Sequence, residues 1–399
     1  MKKLTFLFVL FLATLAIDTI AQQNLFGGQD IESAIVNQDN TVTFRFIAPN
    51  AKEVSVAGDF VSKVEDNPIG GMVGTGLAPM TKDQDGTWTL TTEPLASELY
   101  SYLFLVDGVA TTDPNNPFVF RDFATFTNVF VVGNGQADLY KVNDIPHGSI
   151  SHDWYESKGM GKDRRVNIYT PPGYKKSKEK YPVLYLLHGY GGDEDEWVNF
   201  GRTAQIIDNL IAQGKAKPMM VVMPNGHIDM EASPGESSIG FVKPKHSTDY
   251  PASDGTFEGN FDEIIDFVEN NYRAVPDKAH RAIAGLSMGG FHAIHISAIH
   301  KNTFDYVGVF SSGHNVILND GKGVFANFDA SLTKQKENGL QLYWVGIGVD
   351  DFLYKQNKEF RALLDKTEME YTYVETGGGH IWKNWRIYLG DFAPLLFKN

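Results

Sequence analysis

The feature that most constrains this chain is a change of pattern partway along it. After Arg164, short apolar runs rich in strand-forming residues alternate with amphipathic stretches. The runs occupy 166–169, 183–187, 219–223, 282–286, 306–310, 342–345 and 371–374. Between them lie helical patterns such as 261–272, where Phe261, Ile264, Ile265 and Val268 recur at the spacing of one helix face. Near-continuous apolar strands cannot leave a face in water. The alternation therefore predicts an α/β domain with a mostly parallel sheet and helices on both faces.

The first third of the chain follows a different rule. Segments 41–46, 53–58 and 87–90 alternate apolar and polar residues, and 100–106 ends on Asp107-Gly108, a strong turn signal. Turn residues recur about every ten positions, and no long helical pattern interrupts them. This predicts an all-β, immunoglobulin-like sandwich over 24–133. The polar stretch 134–150 reads as a linker, and 151–399 as the α/β domain.

At the N-terminus, Lys2 and Lys3 precede an apolar run over 4–17, followed by Asp18 and small or polar residues up to Ala21. That order predicts a signal peptide over 1–21 and an exported, periplasmic or secreted protein. The run is too short for a comfortable membrane span. The chain has no cysteine, which excludes thiol catalysis, cysteine-ligated metals and a lipid anchor on cysteine. A formal charge of −14 argues against nucleic acid, whose binding needs a basic surface to displace counterions. No metalloprotease or EF-hand spacing occurs, so neither metal nor cofactor is expected.

Candidate chemistry centres on Gly285-Leu286-Ser287-Met288-Gly289-Gly290. An apolar strand pattern precedes this G-x-S-x-G and a helix-compatible stretch follows it. In a strand-to-helix turn this tight, small residues are needed two before and two after the serine, which makes Ser287 a candidate nucleophile. A serine hydroxyl needs a neighbouring imidazole to take its proton, and a carboxylate to orient that imidazole. Where a serine elbow is followed by an acid after a later strand and a histidine after the last, the order is that of α/β-hydrolases. Here the run 342–345 leads to Asp350 and Asp351, and 371–374 leads through three glycines to His380. Spacing alone does not choose between the two aspartates. His292, His295 and His300 fall in the helix after the elbow and read as packing or surface residues. The glycine-rich end of another strand, 186–192, suits an oxyanion loop, with backbone N–H groups of Tyr190 and Met288 as donors.

With these residues in view, the second domain resembles the esterase D family, in particular its feruloyl and acetylxylan esterase branch (carbohydrate esterase family 1). The resemblance rests on Pro146-His147-Gly148, Tyr169-Thr170-Pro171-Pro172-Gly173-Tyr174, the 186–192 loop with Trp197, the 285–290 elbow, and Gly377–His380 with Trp382 and Trp385. Together these cover roughly 144–399. The family's acid is the fourth residue of a Gly-x-x-Asp turn, here Gly348-Val349-Asp350-Asp351, which points to Asp351. The first domain resembles the early-set, glycogen-binding-type module, through 43–51, 56–60, Tyr102, Phe104 and the Asp107-Gly108 turn. Trp88 fits sandwich core and sugar platform equally.

The resemblance implies a serine esterase acting on a plant polysaccharide ester or a small aromatic ester. Feruloyl groups on xylan lead, acetylxylan is the nearest alternative, and acyl transfer or siderophore-ester hydrolysis lie further off. Oligomeric state is not legible. The acidic run Asp193-Glu194-Asp195-Glu196 is expected to open a helix, where carboxylates complement the dipole. The segment 227–255 is a long insertion that either borders the site or is a solvated excursion.

Overall fold

The structure is a computed structural model, and it describes residues 31–63, 76–122, 125–228, 254–317 and 321–398. The expected signal peptide and most of the 227–255 insertion lie outside the described residues.

Among the described residues, ten short strands build the first region: β1 (Ile35–Val36), β2 (Val42–Ile47), β3 (Val54–Lys63), β4 (Gly76–Pro79), β5 (Thr81–Lys82), β6 (Thr87–Thr91), β7 (Glu98–Val106), β8 (Val109–Thr111), β9 (Val119–Asp122) and β10 (Thr125–Val132). They form two antiparallel sheets, ordered β1-β2-β6-β5 and β4-β3-β7-β10-β9, with β8 pairing on β7. Alternation along β2 buries Val42 and Phe44 and leaves Thr43 and Arg45 half-buried, which is the signature of a one-sided sheet. Phe44 meets Tyr102 and Phe130 edge-on at centroid distances of 4.9 and 5.6 Å. Trp88 belongs to this core and donates its indole N–H to the Ala48 carbonyl at 2.9 Å. Its ring is therefore packing rather than a sugar platform.

The second region is an eight-stranded sheet of β11 (Ser149–Ser157), β12 (Lys162–Thr170), β13 (Val183–Leu187), β14 (Met220–Pro224), β15 (Arg281–Leu286), β16 (Tyr306–Phe310), β17 (Leu342–Gly348) and β18 (Thr372–Thr376). The order is β11-β12-β14-β13-β15-β16-β17-β18. Strands β11 and β12 run antiparallel at one edge, and the six from β14 to β18 run parallel. All five residues of β13 are buried, because alternate side chains enter separate cores. Leu184 and Leu186 join one core, Val183, Tyr185 and Leu187 the other. The helices are α1 (Glu196–Asn199), α2 (Thr203–Ala212), α3 (Thr256–Gly259), α4 (Asp262–Asn271), α5 (Met288–Ile299), α6 (Phe328–Glu337), α7 (Tyr354–Lys366) and α8 (Trp382–Phe392). Helices α2 and α8 cover one face through Ile206, Leu210, Tyr388 and Phe392, while α4, α5 and α7 cover the other through Val268, Ile294 and Phe360. This is the α/β-hydrolase architecture behind a β-sandwich. Among the described residues, no helix is long and apolar enough to cross a membrane.

The two regions share a core. Leu99 of β7 and Val129 of β10 belong to the same cluster as α2 and α8. Arg386 of α8 reaches Glu98 of β7 at 3.0 Å, with both side chains 1% exposed, and also donates to the carbonyls of Leu99 and Phe200. The segment expected as a linker contains a single 3₁₀ turn, Gln136–Leu139, followed by fully buried Tyr140. Asn209 donates to the carbonyls of Leu139 and Lys141, so this stretch is strapped onto α2.

Candidate active site

Strand β15 ends in the middle of the sheet, between β13 and β16, and the chain reverses sharply at Ser287. Its backbone sits at φ 51° and ψ −117°. A non-glycine residue there carries strain of about 1–3 kcal/mol, which persists only when the surroundings enforce it. They do so through Ser287 N–H donating to the Phe310 carbonyl at 2.9 Å and Phe291 N–H donating to the Ser287 carbonyl at 3.0 Å. The flanking glycines are steric necessities. A Cβ at Gly285 would lie 2.4 Å from the Gly289 backbone, and one at Gly289 would lie 2.3 Å from the Leu187 carbonyl oxygen. The turn places Ser287 at the N-terminus of α5, where backbone N–H groups favour developing negative charge.

Parallel pairing brings the ends of β15, β16, β17 and β18 to one edge of the sheet. Asp351 follows β17 and His380 follows β18. His380 Nδ1 lies 3.0 Å from both carboxylate oxygens of Asp351. The Asp351 side chain is fully buried, and its Oδ1 also accepts the Leu353 N–H at 2.8 Å. Asp350 is exposed instead. The glycine loop before His380 is tied down by Asn384, whose amide donates to the carbonyls of Gly377 and Gly379 at 3.1 and 2.9 Å. Aromatic rings bracket the imidazole: Phe352 at 4.4 Å, itself 71% exposed, and Trp385 edge-on at 4.9 Å.

The loop after β13 is held by two histidines that the sequence did not single out. His188 Nδ1 donates to the Gly189 carbonyl at 2.8 Å, leaving Nε2 to accept the Gly226 N–H at 2.8 Å. His227 Nε2 accepts the Gly191 N–H at 2.9 Å. Burial pushes His188 down to about 3 and His227 down to about 2, so both stay neutral and can act as acceptors. The available signal was Pro224-Asn225-Gly226-His227, a turn dipeptide ending an apolar strand of a parallel sheet. Tyr190 lies between these ties, its ring 5.4 Å from that of His227. In α5, His292 and His295 are buried, and His292 Nδ1 lies 2.8 Å from Glu258 Oε1.

The acidic run does precede a helix, the single turn of α1, but dipole complementarity is not what holds it. Asp193 and Glu194 are each 1% exposed and ion-paired, Asp193 with Arg121 and Glu194 with Arg165. Buried carboxylates need such partners, and these come from elements distant in sequence.

Comparison with known proteins agrees with this architecture. A family model described as Esterase matches residues 157–394. An endo-1,4-beta-xylanase/feruloyl esterase from Xylanibacter ruminicola is 31% identical over 375 residues, which is 92% of this chain and 46% of that protein. The chain thus spans about half the length of the curated relatives it matches. Two solved structures share its fold. A CE1 ferulic acid esterase from Anaeromyces mucronatus has a TM-score of 0.52 and 21% identity, covering 66% of this chain and 96% of its own. The enterobactin esterase of Shigella flexneri has a TM-score of 0.61 and 16% identity, covering 89% of this chain and 92% of its own, so the likeness extends into the sandwich. A match over more than half of the chain, on a sheet of this topology, means that the chain belongs to the esterase family.

Proposed function

We propose that this chain is a serine carboxylester hydrolase that releases feruloyl groups from plant cell-wall xylan. The observation that carries the reading is the buried Asp351 carboxylate bonded to His380 Nδ1, at the sheet edge where Ser287 occupies a strained elbow. Asp351 fixes the tautomer that leaves Nε2 of His380 as the base, and stabilises the imidazolium when it forms. Ser287 Oγ attacks the ester carbonyl as His380 takes its proton. The oxyanion rests on the N–H groups of Met288 and Tyr190, and the alcohol departs with the proton from His380. Water activated by the same imidazole then hydrolyses acyl-Ser287. These steps draw only on groups of the chain itself.

The acyl group is inferred from two supports. The relative from Xylanibacter ruminicola, which aligns with 92% of this chain, carries feruloyl esterase in its name. The exposed ring of Phe352 beside His380, with Tyr190 36% exposed on the opposite loop, offers apolar surface that suits a phenolic acyl chain better than acetate. A polymeric substrate outside the cell fits the export expected from the N-terminal segment.

The test is turnover of methyl ferulate, p-nitrophenyl acetate and acetylated xylan by wild type and Ser287→Ala. Methyl ferulate should be the best substrate, and Ser287→Ala should lose about 10⁶ in kcat, as other triads do on losing the nucleophile. Turnover confined to acetylated xylan refutes the feruloyl assignment. Activity that survives Ser287→Ala unchanged refutes the mechanism.

A further inference from the structure

Strand β9 belongs to the sandwich, yet its residues contact segments that lead to both sides of the candidate active site. Arg121 forms an ion pair with Asp193, whose side chain is 1% exposed. Asp193 directly follows the Gly189–Gly192 turn, in which Gly192 N–H donates to the Gly189 carbonyl at 3.2 Å. Asp193 also organises the next turn, its Oδ1 accepting the Asp195 N–H at 2.8 Å and its carbonyl the Glu196 N–H at 3.2 Å. The neighbouring Phe120 packs edge-on against Phe200 at 5.3 Å, and Phe200 stacks on Trp382 at 5.5 Å. Trp382 meets Trp385 at 5.1 Å, and Trp385 meets His380.

The loop that carries Tyr190 relies on hydrogen bonds at its flanks. Three of its residues are glycines, and Gly192 allows such close approach that a Cβ would lie 2.0 Å from the Glu196 carboxyl group. Its position therefore depends on polar ties at its flanks. His188 holds the start through the Gly189 carbonyl and the Gly226 N–H, His227 takes the Gly191 N–H, and buried Asp193, paired with Arg121, organises the turn that directly follows the loop. A carboxylate this buried holds a fixed place only while its counter-charge stays, because losing the partner leaves an uncompensated charge out of water. That counter-charge comes from the sandwich.

We propose that Arg121 is a positioning residue for the oxyanion loop, so that the N-terminal sandwich is part of the catalytic scaffold rather than a tethered accessory. The proposal rests on the reading of Tyr190 N–H as an oxyanion donor. Arg121 touches no reacting atom. It fixes Asp193, and Asp193 fixes the end of the loop from which the donor projects.

The experiment uses the full chain and a small soluble ester, p-nitrophenyl acetate, so that polysaccharide binding does not enter. Arg121→Gln should lower kcat about tenfold or more with KM changed less than threefold, and Arg121→Lys, which keeps the charge, should recover most of the loss. The double variant Arg121→Gln/Asp193→Asn should be no worse than Arg121→Gln, because it leaves no buried charge unpaired. Hydrogen exchange at the Gly191 and Gly192 amides reads the loop without turnover, and should quicken about tenfold in Arg121→Gln. If Arg121→Gln does not fold, Asp193→Asn should show the same kcat loss and faster exchange. Unchanged kcat with unchanged exchange overturns the proposal, as does an effect confined to KM. Absence of Ser287-dependent hydrolysis in the wild type refutes the reading of the site, whereas unchanged exchange refutes the clamp.

Discussion

Gly289→Ala tests the elbow at its tightest point. The added Cβ would lie 2.3 Å from the Leu187 carbonyl oxygen and 2.5 Å from that of His188. Ordinary contact needs roughly 1 Å more than this. Neither obstacle is a flexible side chain: both are backbone at the end of β13, and the Leu187 carbonyl already accepts the Trp197 indole N–H at 2.9 Å. Overpacking against such a wall costs about 3 kcal/mol, the upper part of the usual range. Alanine recovers about 1 kcal/mol in the first turn of α5 through its better helix propensity. The net is a loss of about 2 kcal/mol, which should lower the Tm by several degrees. The effect on catalysis is larger, because the displaced backbone leads directly into the 188–192 loop. A shift of about 1 Å at catalytic groups costs about 10² in rate. Turnover of p-nitrophenyl acetate and a thermal melt measure both quantities. Gly377→Ala is the control, since its Cβ would meet nothing within 4 Å and its backbone is not left-handed. That variant should stay within about 0.5 kcal/mol of wild type. If Gly289→Ala keeps both Tm and kcat, the steric account of the elbow is wrong.

Two further outcomes follow from the same geometry. Asp351→Asn should cost about 10⁴ in kcat with little change in KM, since an amide no longer enforces the imidazole tautomer, whereas exposed Asp350→Asn should stay within about twofold; a larger loss at Asp350 would reverse the assignment. The contribution of His188 and His227 to stability should be level above the ordinary histidine pKa and fall as the pH drops below it, because His188, at about 3, and His227, at about 2, stay neutral when folded but take up protons when unfolded. Each contributes about 1.4 kcal/mol per pH unit in that window, so urea midpoints between pH 6 and 5 should report a loss of about 2–3 kcal/mol from the pair. His227→Gln should make that slope shallower, and an unchanged slope would show that the ring does titrate when folded, despite burial near His188, His292 and Arg164.

What could be read from the sequence was whatever is written in adjacent residues. Strand periods, the elbow glycines and the glycine loop before His380 are local patterns, and a parallel sheet converts their order along the chain into proximity at one edge. That is why His380 can be proposed from chain order, and Asp351, to which the family's Gly-x-x-Asp turn points, lies 3.0 Å from its Nδ1. The remaining features depend on pairings that chain order does not encode. Arg386 and Glu98 are separated by 288 positions, and neither is distinguished in sequence from an ordinary surface charge. The run Asp193–Glu196 reads as a helix start, and its cations, Arg121 and Arg165, arrive from β9 and β12. The polar stretch 134–150 reads as a linker, and its bonds to Asn209 of α2, from Asn143 and to the Leu139 carbonyl, join residues about 66–70 positions apart. These features share one cause. Two of these pairs, Arg386–Glu98 and Arg121–Asp193, cross from the sandwich to the hydrolase region. Were the sandwich a module on a flexible tether, those residues would be solvated as the sequence suggests. Their burial is the reason to treat β9 as part of the catalytic edge, and to look for the sandwich's contribution in kcat rather than in polysaccharide affinity.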